Sequence, residues 1–344
     1  MKPSPQKTLL IRMSSFGDLI LALRALDEAP PGECHWLVAE ELSEVVSLHP
    51  RVKRIWTFQR SGRRGALKRW VGLCRELWEQ EFSEVVDLHQ SLRSRVLRGL
   101  FWVWGIQSGR RIRVRSIQKE RVRFWGRVFF RKLWPQGLWP KPWIERYEKV
   151  WGSEKTQEDK RDVEQSLPLQ FSRQKREVPF DLALIPSSKH RSKEWSVTQW
   201  ELFLKGLPSG WNIVLLGRVQ DPAGQVVARL LETNSHLKWE DGRAWPTLER
   251  TANALLHSKK ILSVDTGLGH LAEALGRSVI WLMGPTDASL GFAPNRAGSR
   301  VVEGKELWCR PCGKDGRHCI RFYQPYECWK RLKPEDVLRV ITEV

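Results

Sequence analysis

The sequence predicts an α/β protein whose parallel sheets are covered by helices on both faces, divided into two domains. Three observations lead there. Short apolar runs, such as those at 8–12, 85–88, 181–185 and 261–264, alternate with stretches of helical length, the pattern of βαβ units. A chain of 344 residues exceeds what one hydrophobic core usually organises. A polar, charged shift between Lys149 and Glu177 separates two such α/β series, so the linker is placed there. The expected boundaries are 1–160 for an N-terminal domain, 178–330 for a C-terminal domain, and 331–344 for a closing helix that packs back on the N-terminal domain.

Thr8 to Arg12 reads as the first strand and Leu19 to Ala29 as the helix after it, joined by Ser14-Ser15-Phe16-Gly17-Asp18. A carboxylate at a helix N-terminus is stabilised by the dipole, so Asp18 stays ionised and can take a proton from a hydroxyl; it also suits a plain capping role. His35 to Val38 and Arg54 to Phe58 follow as strands, with a helix over 41–48 between them. The basic loop with Arg60, Arg63 and Arg64 opens into a helix that runs towards Glu79. Arginine there fits bidentate contact with carboxylate or phosphate. Val85 to Leu88 is a further strand, and His89 to Ser94, with Arg93, is its loop.

The formal net charge is +19. Residues 1–150 carry 29 Lys and Arg against 15 Asp and Glu, and the segment 91–132 has 13 basic residues with Glu120 as its one acid. Such a concentration implies an anionic partner: nucleic acid, anionic lipid or a phosphorylated substrate. Within it, Val122, Trp125, Phe129 and Leu133 share one helical face while Arg123, Arg127 and Arg131 share another. That helix over 121–134 either lies on an anionic membrane or packs its apolar face on its own domain. No apolar run has membrane-spanning length. The N-terminus lacks a small-residue cleavage site and Asp18 interrupts its apolar stretch, so a cytoplasmic location is expected.

In the second half, Asp181 to Ile185 is a strand whose loop carries Ser187, Ser188 and Lys193, and Val197 to Lys205 is the next helix. Hydroxyls and lysines at the C-terminal end of a strand suit a phosphate-bearing ligand. Asn212 to Leu216 is another strand, and Leu248 to Leu256 a helix. Then comes the centre of the half: the strand 261–264, the turn Asp265-Thr266-Gly267, a helix from Leu268 to Leu275 that contains His270, and the strand 279–282. The free N–H groups around Thr266, Gly267 and Leu268 make a phosphate site. The last helix begins at Pro334 with Glu335 and Asp336 in its first turn. Four of the six cysteines, Cys309, Cys312, Cys319 and Cys328, crowd one stretch. The leading C-x-x-C suits a structural metal, and packed free thiols are the other reading.

These motifs, in order, resemble the lipopolysaccharide heptosyltransferases of glycosyltransferase family 9. Leu10 to Ile20 is similar to that family's Ser-Ser-Leu-Gly-Asp loop, with Phe16 in place of its Leu; Val86 to Ser94 resembles its next motif; Lys193-Glu194-Trp195 matches its Lys-x-Trp segment. Val264 to Ala272, with Gly284-Pro285-Thr286-Asp287, is close to its donor signature, with Gly269 in place of a commoner Ser. Trp308 to Cys312 is similar to a cysteine cluster of some members, and Asp221 is the one match for the family's acidic residue after the strand near Gly217. The resemblance implies the GT-B architecture of two facing Rossmann-like domains. It implies inverting, metal-independent transfer of a heptose from ADP-heptose to the Kdo/heptose inner core, with no cofactor, by an enzyme peripheral to the inner face of the cytoplasmic membrane. The absence of an Asp-x-Asp pair agrees. Asp18 is then the base and Lys193 the group that meets the departing diphosphate. Ser187, Ser188, Thr266, Gly267 and Leu268 bind the donor, Asp265 contacts the sugar and His270 supports it. Arg60, Arg63, Arg64 and Arg93 meet the acidic acceptor. A basic nucleic-acid-binding protein is the competing class, but no RNA-recognition, helix–turn–helix or zinc-finger pattern accompanies the arginines; a member with another nucleotide sugar, or without activity, is the third.

Overall fold

The computed structural model describes residues 6–60, 65–152, 169, 179–292, 294, 296–305, 307–313 and 315–343. They form two compact units, each with its own parallel sheet. The first unit runs up to Lys119 and resumes at Trp143; the second holds Glu120–Pro142 and the chain from residue 179 onward.

In the first unit the elements are β1 (Lys7–Ile11), α1 (Phe16–Leu23), β2 (Glu33–Ala39), α2 (Ser43–Ser47), β3 (Val52–Phe58), α3 (Ala66–Glu79), β4 (Glu84–Asp87), α4 (Leu92–Ser108) and β5 (Arg113–Ser116). Residues 120–142 hold α5 (Arg121–Phe130), and α6 (Trp143–Glu148) belongs to the first unit again. Every strand pairing is parallel, in the order β3-β2-β1-β4-β5. The chain moves outward from β1 and then re-enters on the other side at β4, so the loops after β1 and β4 part company there. Such a switch point opens a crevice at the C-terminal ends of its strands. Leu9, Ile11, Leu37 and Val85 of the sheet pack with Cys74 and Leu77 of α3 and with Leu97 and Phe101 of α4.

The second unit repeats the plan with β6 (Phe180–Ile185), α7 (Val197–Lys205), β7 (Asn212–Leu215), α8 (Pro222–Thr233), β8 (Lys238–Asp241), α9 (Leu248–Leu256), β9 (Ser258–Val264), α10 (Gly267–Ala274), β10 (Ile280–Met283), β11 (Arg300–Glu303), α11 (Glu327–Lys330) and α12 (Pro334–Thr342). Its order, β11-β10-β9-β6-β7-β8, puts the switch between β9 and β6. Leu184, Leu215, Leu262 and Leu282 from four strands meet Phe203 of α7 and Val227 of α8 in its core. The closing helix α12, expected to pack back on the N-terminal domain, instead adds Val337 and Ile341 to this second core, against α7. Its apolar stripe finds the nearest apolar surface of its own unit.

The helix expected over 121–134 forms as α5 with a 3-10 turn at Arg131–Leu133. Its expected apolar face is not the one that packs. Val122, Trp125, Phe129 and Leu133 are exposed, whereas Phe124 and Val128 bury against Leu290, which joins residues 120–142 to the second unit. Arg127, which shares a helical face with Arg123 and Arg131 in the sequence pattern, is buried, because Asp287 lies 2.9 Å away as its ion-pair partner. A buried charge needs such a partner.

Candidate active site

At the first switch point the loop after β1 feeds α1. Asp18, the third residue of the helix, turns back on Ser15, whose N–H and hydroxyl donate to its Oδ2 at 3.3 and 2.9 Å. Arg12 Nη2 stands 2.7 Å from the same oxygen. The other arm of Arg12 donates to the Leu88 carbonyl at 2.9 Å, so the guanidinium ties the loop after β1 to the loop after β4. Burial pushes the Asp18 carboxyl up, but Arg12 and the Ser15 bonds outweigh it and hold the group below the usual carboxylate range. Asp18 is therefore both a cap and an ionised carboxylate at neutral pH.

Three neighbours, Asp87, His89 and Tyr147, had no role assigned from the sequence. Asp87 Oδ1 accepts the N–H groups of His89 and Gln90 at 3.0 and 2.7 Å, which sets the turn after β4. Burial, and then the charges of Arg12 and Lys119, lower His89 to about 4, so its ring is neutral at physiological pH. Tyr147 of α6 lies under the Arg12 guanidinium, 5.7 Å from ring centroid to Cζ, and burial pushes its hydroxyl up. Neither His89 Nδ1 nor the Tyr147 hydroxyl has a hydrogen-bond partner among the described residues. Nothing in either motif's spacing shows that these side chains approach Arg12; only the fold does.

Of the basic residues expected at the acceptor, Arg60 donates to the Met13 carbonyl at 3.3 Å and pairs with Glu41 at 2.9 Å. Arg93 lies over the Phe58 ring at 5.0 Å and lines, with Arg69 and Trp70, a cleft of about 280 Å³. Arg63 and Arg64 lie outside the described residues.

At the second switch point the loops after β6 and β9 touch: the Ser188 hydroxyl donates to the Asp265 carbonyl at 3.1 Å. A 3-10 turn at Arg191–Lys193 brings the Lys193 ammonium to 2.7 Å from Asp265 Oδ2. The Thr286 hydroxyl, on the loop after β10, donates to the same oxygen at 2.7 Å. Burial raises the Asp265 carboxyl, but Lys193, Thr286 and the field of His270 outweigh it and hold it below the usual range. Ser187 Oγ is buried and has no hydrogen-bond partner among the described residues. Thr266 precedes α10 in extended conformation without a side-chain cap, and no acidic residue sits in the helix's first turn. The N–H groups of Gly267 and Leu268 thus open a helix N-terminus suited to an anion. His270 is buried in α10 with its ring 4.9 Å from that of Trp281. Gly269 is explained by the same indole: a Cβ there would lie 2.5 Å from the Trp281 ring.

Arg310 is a further residue that sequence reasoning passed over. Its guanidinium donates to the carbonyls of Thr286 and Gly304 at 2.6 and 3.2 Å and meets Glu303 at 2.6 Å, bracing the loop that carries Thr286. Asp221, the candidate acidic match, stands at the N-cap position of α8 without a side-chain capping bond and accepts the Arg218 N–H at 3.3 Å. Cys309, Cys312, Cys319 and Cys328 are free thiols. Burial, with Cys309 and Cys328 nearby, pushes Cys312 up to about 12, and burial pushes Cys328 up to about 11. Among the described residues no group of three or more His, Cys, Asp or Glu is placed to hold a metal ion.

Comparison with known proteins follows these features. Residues 70–319 match the model of glycosyltransferase family 9 (heptosyltransferase). Lipopolysaccharide heptosyltransferase 1 of Pseudomonas aeruginosa is 26% identical, with 96% of each chain covered. Its counterpart from Salmonella typhimurium is 25% identical over 84% of this chain and 92% of its own. Among solved structures, an E. coli heptosyltransferase with ADP has a TM-score of 0.66 at 19% identity, covering 98% of this chain and 99% of that one. A glycosyl transferase family 9 protein from Veillonella parvula has a TM-score of 0.70 at 15% identity, covering 100% and 99%. These likenesses show the fold, two Rossmann-like domains of the GT-B class. The family match spans most of the chain, which therefore belongs to glycosyltransferase family 9, the heptosyltransferases.

Proposed function

We propose that the protein moves a heptose from ADP-heptose to the Kdo/heptose inner core of lipopolysaccharide, with inversion and without a required metal. The observation that carries this reading is Asp18, kept ionised by Arg12 and fixed by Ser15 at a switch point. Asp18 takes the proton of an acceptor hydroxyl while that oxygen attacks the anomeric carbon from the face opposite the diphosphate. The carbon–oxygen bond to the diphosphate breaks and ADP leaves. Lys193 has three ammonium donors, one of them engaged with Asp265, and it meets the charge that grows on the diphosphate. Ser187, Ser188 and the N–H groups of Thr266, Gly267 and Leu268 bind the same oxygens. Asp265 orients sugar hydroxyls with His270 in support, and fixed positive groups of this kind stabilise the transition state more than the ground state.

Arg60, Arg63, Arg64 and Arg93 meet the acidic groups of the acceptor. A lipid-anchored acceptor places the protein at the inner face of the cytoplasmic membrane. ADP release with ADP-heptose and a deep-truncated lipopolysaccharide tests the reading: it should fall about 10²–10⁴-fold in Asp18→Ala. Release unchanged in that variant removes Asp18 from the mechanism, and no release by the wild type with any sugar nucleotide sinks the activity.

A further inference from the structure

Helix α5 carries apolar side chains on two opposite faces. Phe124 and Val128 pack on Leu290, and Arg127, between them, pairs with Asp287 at 2.9 Å and lies 5.0 Å from the Trp139 ring. Those contacts fix the rotation of the helix about its own axis. With 3.6 residues to the turn, Val122, Trp125 and Phe129 then point the opposite way, and Leu133 lies in the 3-10 turn that follows the helix. They are 79, 45, 67 and 86% exposed. Trp125 stacks on Phe129 with ring centroids 5.5 Å apart, and the neighbouring Phe130, also exposed, stacks on Trp134 at 5.6 Å. The outer rings are held in place, and a contiguous apolar patch of this kind marks an interaction surface.

We propose that this outer face of α5 docks on an anionic lipid bilayer, with its rings in the headgroup region and its basic flanks at the lipid phosphates. Charge complementarity selects that occupant. Arg121 and Arg123 flank the apolar line on either side and exposed Lys132 extends it, within a segment whose one acid is Glu120. An in-plane helix of aromatic and aliphatic residues bordered by arginine and lysine is the pattern that headgroups and acyl chains accept. Val122 and Leu133, both aliphatic and exposed, give a nucleic-acid base nothing to stack on, yet they suit an acyl chain. No helix of the described residues is long and apolar enough to cross a membrane, so the contact is in-plane. The inference rests on the proposed function only in that the acceptor lies in a membrane.

Sedimentation of the full chain with vesicles tests it, using phosphatidylcholine alone and phosphatidylcholine mixed with phosphatidylglycerol. The wild type should bind the mixed vesicles and not the neutral ones. The triple variant Trp125→Ser, Phe129→Ser, Leu133→Ser should bind at least roughly tenfold more weakly. Because these side chains are exposed, its melting temperature should not change, nor should ADP release with a lipid-free core oligosaccharide. Arg121→Gln with Arg123→Gln should weaken binding in a salt-dependent way. Wild-type protein that stays in the supernatant with both vesicle types overturns the proposal, as does a triple variant that binds as tightly as the wild type. A wild-type dimer that the triple variant dissolves assigns the face to a second copy instead, and RNA binding lost with vesicle binding intact assigns it to nucleic acid; either outcome also overturns it. Failure of ADP release in a protein that still binds vesicles would sink the transferase reading alone.

Discussion

The helices that leave the two switch points, α1 and α10, begin alike and are finished differently. Each follows a central strand of a parallel sheet, and each has an aspartate nearby with a cation 2.7 Å from it. In α1 the third residue is Asp18, so the helix N-terminus is neutralised by its own carboxylate. The third residue of α10 is Gly269, and the acidic group stands just ahead of the helix as Asp265, occupied with Lys193 and Thr286. The cations differ too. Arg12 is committed to the Leu88 carbonyl as well as to Asp18, so it cannot turn away without orphaning a buried acceptor. Lys193 rides a flexible stem, and Asp265 has the Thr286 hydroxyl as a second partner on the same oxygen.

Lys193→Ala breaks that contrast at its most sensitive point. Turnover of ADP-heptose should fall about 10²–10³-fold, and the melting temperature should drop because Asp265 loses its cation. Adding Asp265→Asn should restore the melting temperature without restoring turnover. Wild-type turnover in Lys193→Ala would make the lysine no more than a partner for Asp265.

Gly269→Ser sharpens the contrast through packing. The added atoms meet the Trp281 ring, so a loss of about 1–3 kcal/mol is expected in denaturant titration. Trp281→Phe should recover part of it; an undiminished midpoint in the single variant would show that the indole yields freely.

The last effect, confined to a window of pH, concerns His89. Its folded-state value, about 4, lies below the ordinary value of ~6.5. Between those values the unfolded chain binds a proton that the folded chain refuses. The stability due to a neutral His89 is therefore complete above pH ~6.5 and is lost as pH falls towards 4. His89→Gln should flatten the fall of melting temperature across that window, by the equivalent of about 1–3 kcal/mol. The lowered Asp18 and Asp265 act at lower pH, since what they contribute is lost only below the usual carboxylate range. Equal slopes in variant and wild type would show that His89 is solvated enough to titrate normally.

What the sequence disclosed follows burial. Strands inside the sheets, such as β1, β4, β6 and β9, show as apolar runs because both of their faces are covered. β5, β8 and β11 escaped notice, and all three are sheet edges: Arg113–Ser116 and Lys238–Asp241 are mostly polar or charged and Arg300–Glu303 is half so, as an edge tolerates. Helix α4 hid in the basic segment because arginines interrupt its apolar positions. At the active site, Asp18, Lys193 and Asp265 stood out as polar residues beside strand ends. Arg12, His89, Thr286 and Arg310 lay in motifs without a role of their own, and Tyr147 in none, since each matters through a partner that only the fold brings to it. The helix over 121–134 was found by its period while the packing of its apolar face was left open, because the pattern cannot weigh one apolar face against another when Asp287, the anchor of Arg127, lies 160 residues on.

Arg310 has a consequence of its own. It sits between Cys309 and Cys312, and its guanidinium fastens the Thr286 carbonyl from a loop beyond β11. Thr286 in turn fixes the Asp265 carboxylate. The thiol-rich stretch is thus a keystone for the loop that carries Thr286, and covalent injury there, such as alkylation of half-buried Cys312, would be felt at Asp265 without any reagent touching Asp265, Lys193 or Thr286.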